Sequence, residues 1–116
     1  MASYVNILPS KARTASTSAE VTVWDKYVAA HIVVDITAGD SPLIVALKGR
    51  DLASNKKYTL LSSTLQSNSG TTVLKLGPDY TAGANVAKDY LPYQLFVDVT
   101  LSGGTTATYS IGASLI

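Results

Sequence analysis

Cysteine is absent from this chain of 116 residues, and its absence excludes several classes of protein at once. A chain without thiols forms no disulfide, holds no zinc–thiolate site and offers no thiol nucleophile. A large charge of either sign is lacking too, since charged residues make up 15% of the chain and the formal net charge is +1. Nucleic-acid-binding domains usually carry a strong basic excess, so we expect no nucleic-acid partner.

Long apolar runs are also lacking. The longest stretch, VAAHIVV, is interrupted by His31 and is far too short to span a bilayer. The first residues, MASYVNILPSKARTAS, do not place a basic segment before an apolar one, as a secretory signal would. We therefore expect a soluble protein with no membrane partner, made in the cytoplasm.

What is present is a series of short segments in which apolar and polar residues alternate, separated by Gly, Pro, Asn, Asp and Ser. A period of two is typical of strands with one buried face. About seven or eight such strands without a convincing helix predict one all-β domain, an antiparallel two-sheet β-sandwich of jelly-roll or immunoglobulin-like type. The predicted strands include Glu20–Trp24, Val28–Thr37, Leu43–Lys48, Tyr58–Thr64, Thr71–Leu76, Tyr93–Leu101 and Thr106–Leu115.

The alternation also predicts which side chains face the core. In one strand His31, Val33 and Asp35 share the outward face. The turn signals at Ala38–Pro42 and Gly103–Gly104 predict hairpins between the strands that flank them. The predicted inward residues are Ile32, Val34 and Ile36; Leu43, Val45 and Leu47; Leu95, Val97, Val99 and Leu101; and Tyr109, Ile111, Ala113 and Leu115.

The first nineteen residues differ from the rest, because they are small and polar apart from the apolar cluster Tyr4–Leu8, which Pro9 closes. This stretch is either an edge strand or an extended arm. We divide the chain into an N-terminal arm, residues 1–19, and a β-sandwich domain, residues 20–116.

No catalytic apparatus is recognisable. His31 is the only histidine, and Asp35, on the same face of its strand, is about 13 Å along that strand, too far to orient a catalytic base. The acidic residues fall mostly in turns, where Asp is favoured for bonds to nearby backbone. We therefore expect no enzyme activity, no metal site and no cofactor.

Three tyrosines, Tyr80, Tyr90 and Tyr93, fall around the longest irregular stretch, residues 79–91. They either pack this loop onto the sandwich or form a contact surface, because tyrosine combines a large apolar area with a polar tip. Phe96 and Val33 occupy outward positions, which indicates that part of the outer surface is covered.

Six segments, taken together and in this order, resemble stretches of small virion proteins of tailed bacteriophages, and the resemblance covers most of residues 12–116. By size, composition and layout the chain looks most like a capsid decoration (cement) protein. The six segments are Arg13–Ser16, Val34–Thr37, Lys48–Asp51, Tyr58–Leu61, Val73–Pro78 and Asp89–Pro92.

The resemblance implies a trimer on the outer surface of the phage head, where it binds the major capsid protein and stabilises contacts between capsid subunits. The expected location is the virion, after synthesis in the cytoplasm of the host bacterium. Residues 1–19 are then the segment that adds to a neighbour's sheet edge. The candidate interaction residues are Tyr4, Val5, Ile7, Leu8, Arg13, Tyr80, Tyr90 and Tyr93.

Two alternatives remain. The first is a β-sandwich protein associated with the phage tail. The second is a carbohydrate-binding module that uses Trp24 with Tyr80, Tyr90 and Tyr93 as stacking platforms.

Overall fold

The alternation of apolar and polar side chains produces strands along most of the described chain. A computed structural model describes residues 3–23, 27–66 and 69–116. Trp24 and part of the predicted turn Gln66–Gly70 lie outside these residues. The strands are β1 (Ser3–Arg13), β2 (Thr17–Thr22), β3 (Ala30–Gly39), β4 (Leu43–Arg50), β5 (Lys57–Ser62), β6 (Gly70–Gly77), β7 (Val86–Lys88), β8 (Gln94–Leu101) and β9 (Ala107–Leu115).

The strands form two sheets, a five-stranded sheet of order β1-β9-β3-β6-β7 and a four-stranded sheet of order β2-β8-β4-β5. Strands pair antiparallel except for the short β7, which runs parallel to β6. The prediction of an all-β, two-sheet sandwich is confirmed.

The order of the strands distinguishes between the two predicted types of sandwich. β4 pairs with β5, β3 with β6, β2 with β8 and β1 with β9, so the chain resembles one long hairpin whose successive pairs fall alternately in the two sheets. Contacts of β9 with β3 and of β8 with β4 complete each sheet. This winding is that of a jelly roll.

The two predicted hairpins are wrong. β3 and β4 belong to different sheets, and so do β8 and β9, so residues 40–42 and 102–106 carry the chain across the sandwich. The reason is that alternation along a strand fixes its buried face but not its neighbour. A turn between two amphipathic strands therefore fits a crossing between sheets as well as a hairpin.

The predicted core faces are confirmed. Ile32, Val34, Leu43 and Val97 have almost no exposed surface. Burial of each such side chain contributes roughly 1.5–3 kcal/mol. Leu101 alone among the predicted inward residues is only partly buried.

The segment predicted as an arm contributes to both sheets. Ser3–Arg13 forms β1 at the edge of the five-stranded sheet, paired with β9 from Ser3 opposite Leu115 to Arg13 opposite Ala107. Thr17–Thr22 forms β2 at the edge of the four-stranded sheet. The predicted boundary between residues 19 and 20 falls within β2.

The connections gather at two ends of the sandwich, because successive long strands run in opposite directions. We call one the turn end; it contains residues 14–16, 40–42, 63–66 and 102–106. The other, the loop end, contains residues 27–29, 51–56 and the long connection 78–93 with β7.

Candidate interaction surfaces

At the turn end, one carboxylate joins two crossings of the chain. Asp40 accepts hydrogen bonds from the backbone N–H of Thr105 and of Thr106, both at 3.0 Å, and from the Thr105 hydroxyl. The bond from the Thr106 N–H, followed by those from Thr105, lowers the pKa of Asp40. These bonds hold residues 40–42 against residues 102–106, so Asp40 has a structural role.

Two glycines allow the same crossings to approach closely. A Cβ on Gly39, whose φ is +110°, would lie 2.4 Å from the carbonyl oxygen of Thr106. A Cβ on Gly104 would lie 2.4 Å from the Cα of Ser41. Real Cβ atoms do not approach other atoms so closely, so the turn end accepts only glycine at these positions without rearrangement.

The candidate residues of β1 fall into three environments. Tyr4 is 81% exposed on the outer side of the five-stranded sheet. Val5, Ile7 and Leu8 are partly buried against the core. Arg13 stacks its guanidinium on the ring of Tyr109, 4.6 Å from the centroid, and donates hydrogen bonds to the Tyr109 and Pro9 carbonyls, each at 2.8 Å. Arg13 therefore fastens β1 to β9.

Tyr4 borders a shallow groove on the outer face of the five-stranded sheet. The groove has a volume of about 640 Å³. Small side chains of β9, namely Ser110, Gly112 and Ser114, lie along it, and Val33 borders it. The outward Val33 is thus partly covered.

The three candidate tyrosines have different surroundings. The hydroxyl of Tyr80 lies 2.7 Å from Nε2 of His31, with the ring centroids 5.8 Å apart. Tyr90 is 80% exposed beside Pro78 and Lys88. Tyr93 is 53% exposed and borders a different cleft. The three tyrosines are close in sequence, but each lies in a different environment: Tyr80 contacts His31, Tyr90 lies beside Pro78 and Lys88, and Tyr93 borders another cleft.

The only histidine thus has a tyrosine partner rather than a carboxylate. Asp35, which shares its face of β3, accepts a hydrogen bond from the Thr71 hydroxyl at 3.1 Å. His31 is partly buried and lies opposite Lys75 and Ser114 in the sheet. Its contact with Tyr80 attaches the long connection to the outer face of the five-stranded sheet.

On the outer face of the four-stranded sheet, Phe96 is buried by cations. Its position in β8 is outward, yet it is only 3% exposed. The Arg50 guanidinium carbon lies 4.7 Å from the ring centroid and the Lys57 ammonium nitrogen 4.5 Å from it. Cations over an aromatic face are attracted by its quadrupole, each by about 0.5–2 kcal/mol. Phe96 is therefore covered by side chains of its own sheet, so its outward position does not by itself indicate a partner.

Asp98 neutralises part of this charge. Its carboxylate lies 3.0 Å from the Lys48 ammonium and 3.6 Å from that of Lys57, and it accepts a hydrogen bond from Ser18. Burial raises the pKa of Asp98, but the bond from Ser18 and the two lysines outweigh it, so the pKa is lowered. The contacts of the Asp98 carboxylate are therefore with three side chains of its own sheet, those of Ser18, Lys48 and Lys57.

A cleft of about 330 Å³ opens where this face meets the loop end. We call it the arginine cleft; it is lined by Arg50, Leu52, Tyr58, Pro92, Tyr93 and Gln94. Leu52 is 89% exposed and Tyr58 48% exposed. The Nε of Arg50 is buried and has no hydrogen-bond partner among the described residues.

The shape of the arginine cleft depends on a glycine in β4. A Cβ on Gly49 would lie 2.7 Å from the Tyr58 ring, so the missing side chain lets that ring lie against β4 beside Arg50. Sequence reasoning missed Arg50, Leu52 and Tyr58. A glycine inside a strand often marks close approach of another group, so Gly49 was the available signal.

No protein-family model matches the chain. No curated protein is significantly similar to it in sequence.

In the described part of the chain, no group of three or more His, Asp or Glu side chains is arranged to hold a metal ion. Over residues 3–23, 27–66 and 69–116 no helix is long and apolar enough to cross a membrane.

Proposed function

We propose that this chain is a structural protein of a tailed-phage virion, a capsid decoration protein that binds the outside of the head and stabilises contacts between capsid subunits. The observation that carries the proposal is the exposure of large apolar and aromatic side chains on a firmly paired sandwich. Tyr4, Leu52, Tyr90 and Tyr93 are each more than half exposed. Exposed residues of this kind favour a binding surface.

The resemblance to phage virion proteins supports the more specific part of the proposal. Three of its six segments, Lys48–Asp51, Tyr58–Leu61 and Asp89–Pro92, each contribute a residue to the arginine cleft. The resemblance is therefore concentrated at a surface as well as in core strands such as β3 and β6.

The proposed partners are the major capsid protein and further copies of this chain in a trimer. The groove beside Tyr4 supports self-association, since an exposed ring next to a row of small side chains offers complementary surfaces. Val73, on the same outer face, is 39% exposed.

The test is addition of the purified protein to expanded heads that lack it, followed by sedimentation and cryo-electron microscopy. We expect added density on the outer surface of the head at regular positions, and a higher temperature of shell disruption. Heat-unfolded protein serves as the control. Absence of binding to heads overturns the proposal, and density on the tail supports the tail-associated alternative instead.

Light scattering of the isolated protein tests the trimer separately. We expect a mass three times that of the chain at high protein concentration. A mass of one chain both in solution and per site on the head overturns this part of the proposal.

A further inference from the structure

We propose that the arginine cleft is a docking site for a peptide segment of a partner protein, one that carries a carboxylate next to a bulky apolar side chain. The inference goes beyond the proposed function, because it names the chemistry of a ligand and holds wherever the protein is located.

The guanidinium of Arg50 has no acceptor within the described residues. Its Nε is covered and makes no hydrogen bond there. Arg50 as a whole is only partly buried, so the terminal nitrogens are the donors that a ligand can reach. The guanidinium group presents its donors as a planar fork that a carboxylate accepts with both oxygens. A ligand carboxylate in the arginine cleft would supply the acceptor for those terminal nitrogens.

None of the described acids pairs with Arg50. Within residues 3–23, 27–66 and 69–116 the ion pairs are those of Asp98 with Lys48 and Lys57. Asp51, next to Arg50 in the chain, accepts hydrogen bonds from Ser54 and from the Ala53 N–H. In the described part of the chain Arg50 is therefore a cation without an ion-pair partner, which complements a ligand carboxylate.

Arg50 is held in place before any ligand binds. Its guanidinium is stacked over Phe96 at 4.7 Å. Gly49, the neighbour of Arg50 in β4, leaves the room that the Tyr58 ring occupies in the same cleft. A fixed guanidinium loses little conformational freedom on binding, so more of the interaction appears as affinity.

The rim of the arginine cleft suits the apolar half of the ligand. Leu52 and Tyr93 are more than half exposed, and Tyr58 nearly half, around the same opening. Tyrosine and arginine are the residues enriched at energetically important positions of protein interfaces. The apolar rim favours a peptide over phosphate or nucleic acid, since the neighbouring Lys48 and Lys57 are already paired with Asp98.

The size of the arginine cleft limits what it can accept. Its volume of about 330 Å³ lies at the lower end of the range of roughly 300–1,000 Å³ for ligand pockets. It therefore suits one or two side chains of a short segment rather than a large cofactor.

The experiment is an amide chemical-shift titration of the whole protein, labelled with ¹⁵N. The probe is the peptide acetyl-Gly-Glu-Phe-Gly-amide, and the matched control peptide has Gln in place of Glu. We expect saturable shifts in residues 49–58, 93 and 94, with about tenfold weaker binding of the Gln peptide. Equal binding of the two peptides, or shifts centred elsewhere, overturns the proposal.

Variants locate the binding. Arg50→Gln should reduce affinity for the Glu peptide about tenfold, to the level of the Gln peptide. Lys88→Gln is the matched control, because it removes a cation beside another exposed tyrosine, Tyr90, and it should leave affinity unchanged. An equal loss in both variants overturns the proposal.

Two further measurements keep the test decisive if Arg50→Gln fails to fold. Leu52→Ser changes an exposed side chain and should weaken both peptides by a similar factor, since it removes only the apolar contact. Inorganic phosphate should produce no comparable shifts at concentrations that saturate with the Glu peptide. Unchanged binding to Leu52→Ser, or phosphate binding as tight as the peptide, contradicts the peptide assignment.

Discussion

The two ends of the sandwich use the same type of residue for different purposes. At the turn end, Asp40 accepts hydrogen bonds from Thr105 and Thr106, which lie 65 and 66 residues further along the chain. At the loop end, Asp51 accepts bonds from Ala53 and Ser54, two and three residues away. Asp40 thus ties two crossings together, whereas Asp51 shapes only its own hairpin.

Glycine contacts differ between the ends in kind rather than in number. Gly39 and Gly104 sit where a Cβ would collide with backbone, whereas a Cβ on Gly77, beside the loop end, would meet side chains. A Cβ on Gly83, in the long connection, would meet nothing within 4 Å among the described residues. Exposure does not separate the ends, since Leu65 of the turn end and Leu52 of the loop end are both more than half exposed. Close contact of backbone with backbone at Gly39 and Gly104 is therefore the feature that sets the turn end apart.

The largest effect should come from filling the space at the turn end. Gly39→Val combines a positive φ with overlap against the Thr106 carbonyl, so we expect a loss of roughly 2–5 kcal/mol in the free energy of unfolding. Gly83→Ala is the control at the loop end, with an expected change within about 0.5 kcal/mol. Urea denaturation measures both. Similar losses in the two variants would remove the contrast between the ends.

A smaller effect should follow from Asp40→Asn. It replaces a charged acceptor of the Thr105 and Thr106 bonds with a weaker neutral one, so the midpoint of thermal unfolding should fall. Asp51→Asn should lower it less, because its bonds close only a local turn. If the two midpoints fall equally, the long-range hydrogen bonds of Asp40 stabilise the fold no more than the local hydrogen bonds of Asp51 do.

The dependence of stability on acid pH tests the same bonds of Asp40. The pKa of Asp40 is lowered in the folded state from its ordinary value of 3.8, so the unfolded chain binds more protons there. The stabilisation is complete above the unfolded pKa and is lost as the pH falls through the lower folded pKa. We expect melting temperatures to decline below about pH 4, and less steeply in Asp40→Asn. Parallel declines would show that other carboxylates, such as Asp98, dominate.

The smallest effect on stability should come from the surface of the loop end. Leu52→Ser removes an almost fully exposed apolar side chain, so we expect a change within about 0.5 kcal/mol. Chemical denaturation measures it. A loss above about 1 kcal/mol would mean that Leu52 is covered in solution, for instance by another copy of the chain.

The sequence predicts the strands and their buried faces well, for a physical reason. The side chains of Ile32, Val34 and Ile36 alternate with polar ones in any strand that has one wet face, whatever its neighbours are. The partners of each strand depend instead on the whole sandwich. The turns at residues 40–42 and 102–106 therefore looked like hairpins but cross between sheets.

The candidate surface was harder to predict for the same reason. The arginine cleft brings Arg50 and Tyr58 of one hairpin to Tyr93, which precedes β8. No pattern within one segment of the sequence predicts that these residues lie together. Conversely, Tyr80 and Tyr90 are close in sequence but lie beside His31 and Lys88, respectively. Arg13 could not be recognised as a fastener of β1 because its partner, Tyr109, is 96 residues away.

The position of β9 has a consequence for how the molecule reaches this state. β9 lies between β1 and β3, so the five-stranded sheet has no continuous centre until residues 107–115 have left the ribosome. Ser3 then meets Leu115 across nearly the whole chain. Pairings between such distant segments close large loops, and proteins dominated by them fold in milliseconds to seconds. β1 and β3 therefore lack their common partner until β9 has been synthesised. Before then, the edges that later pair with β9 can pair with other strands.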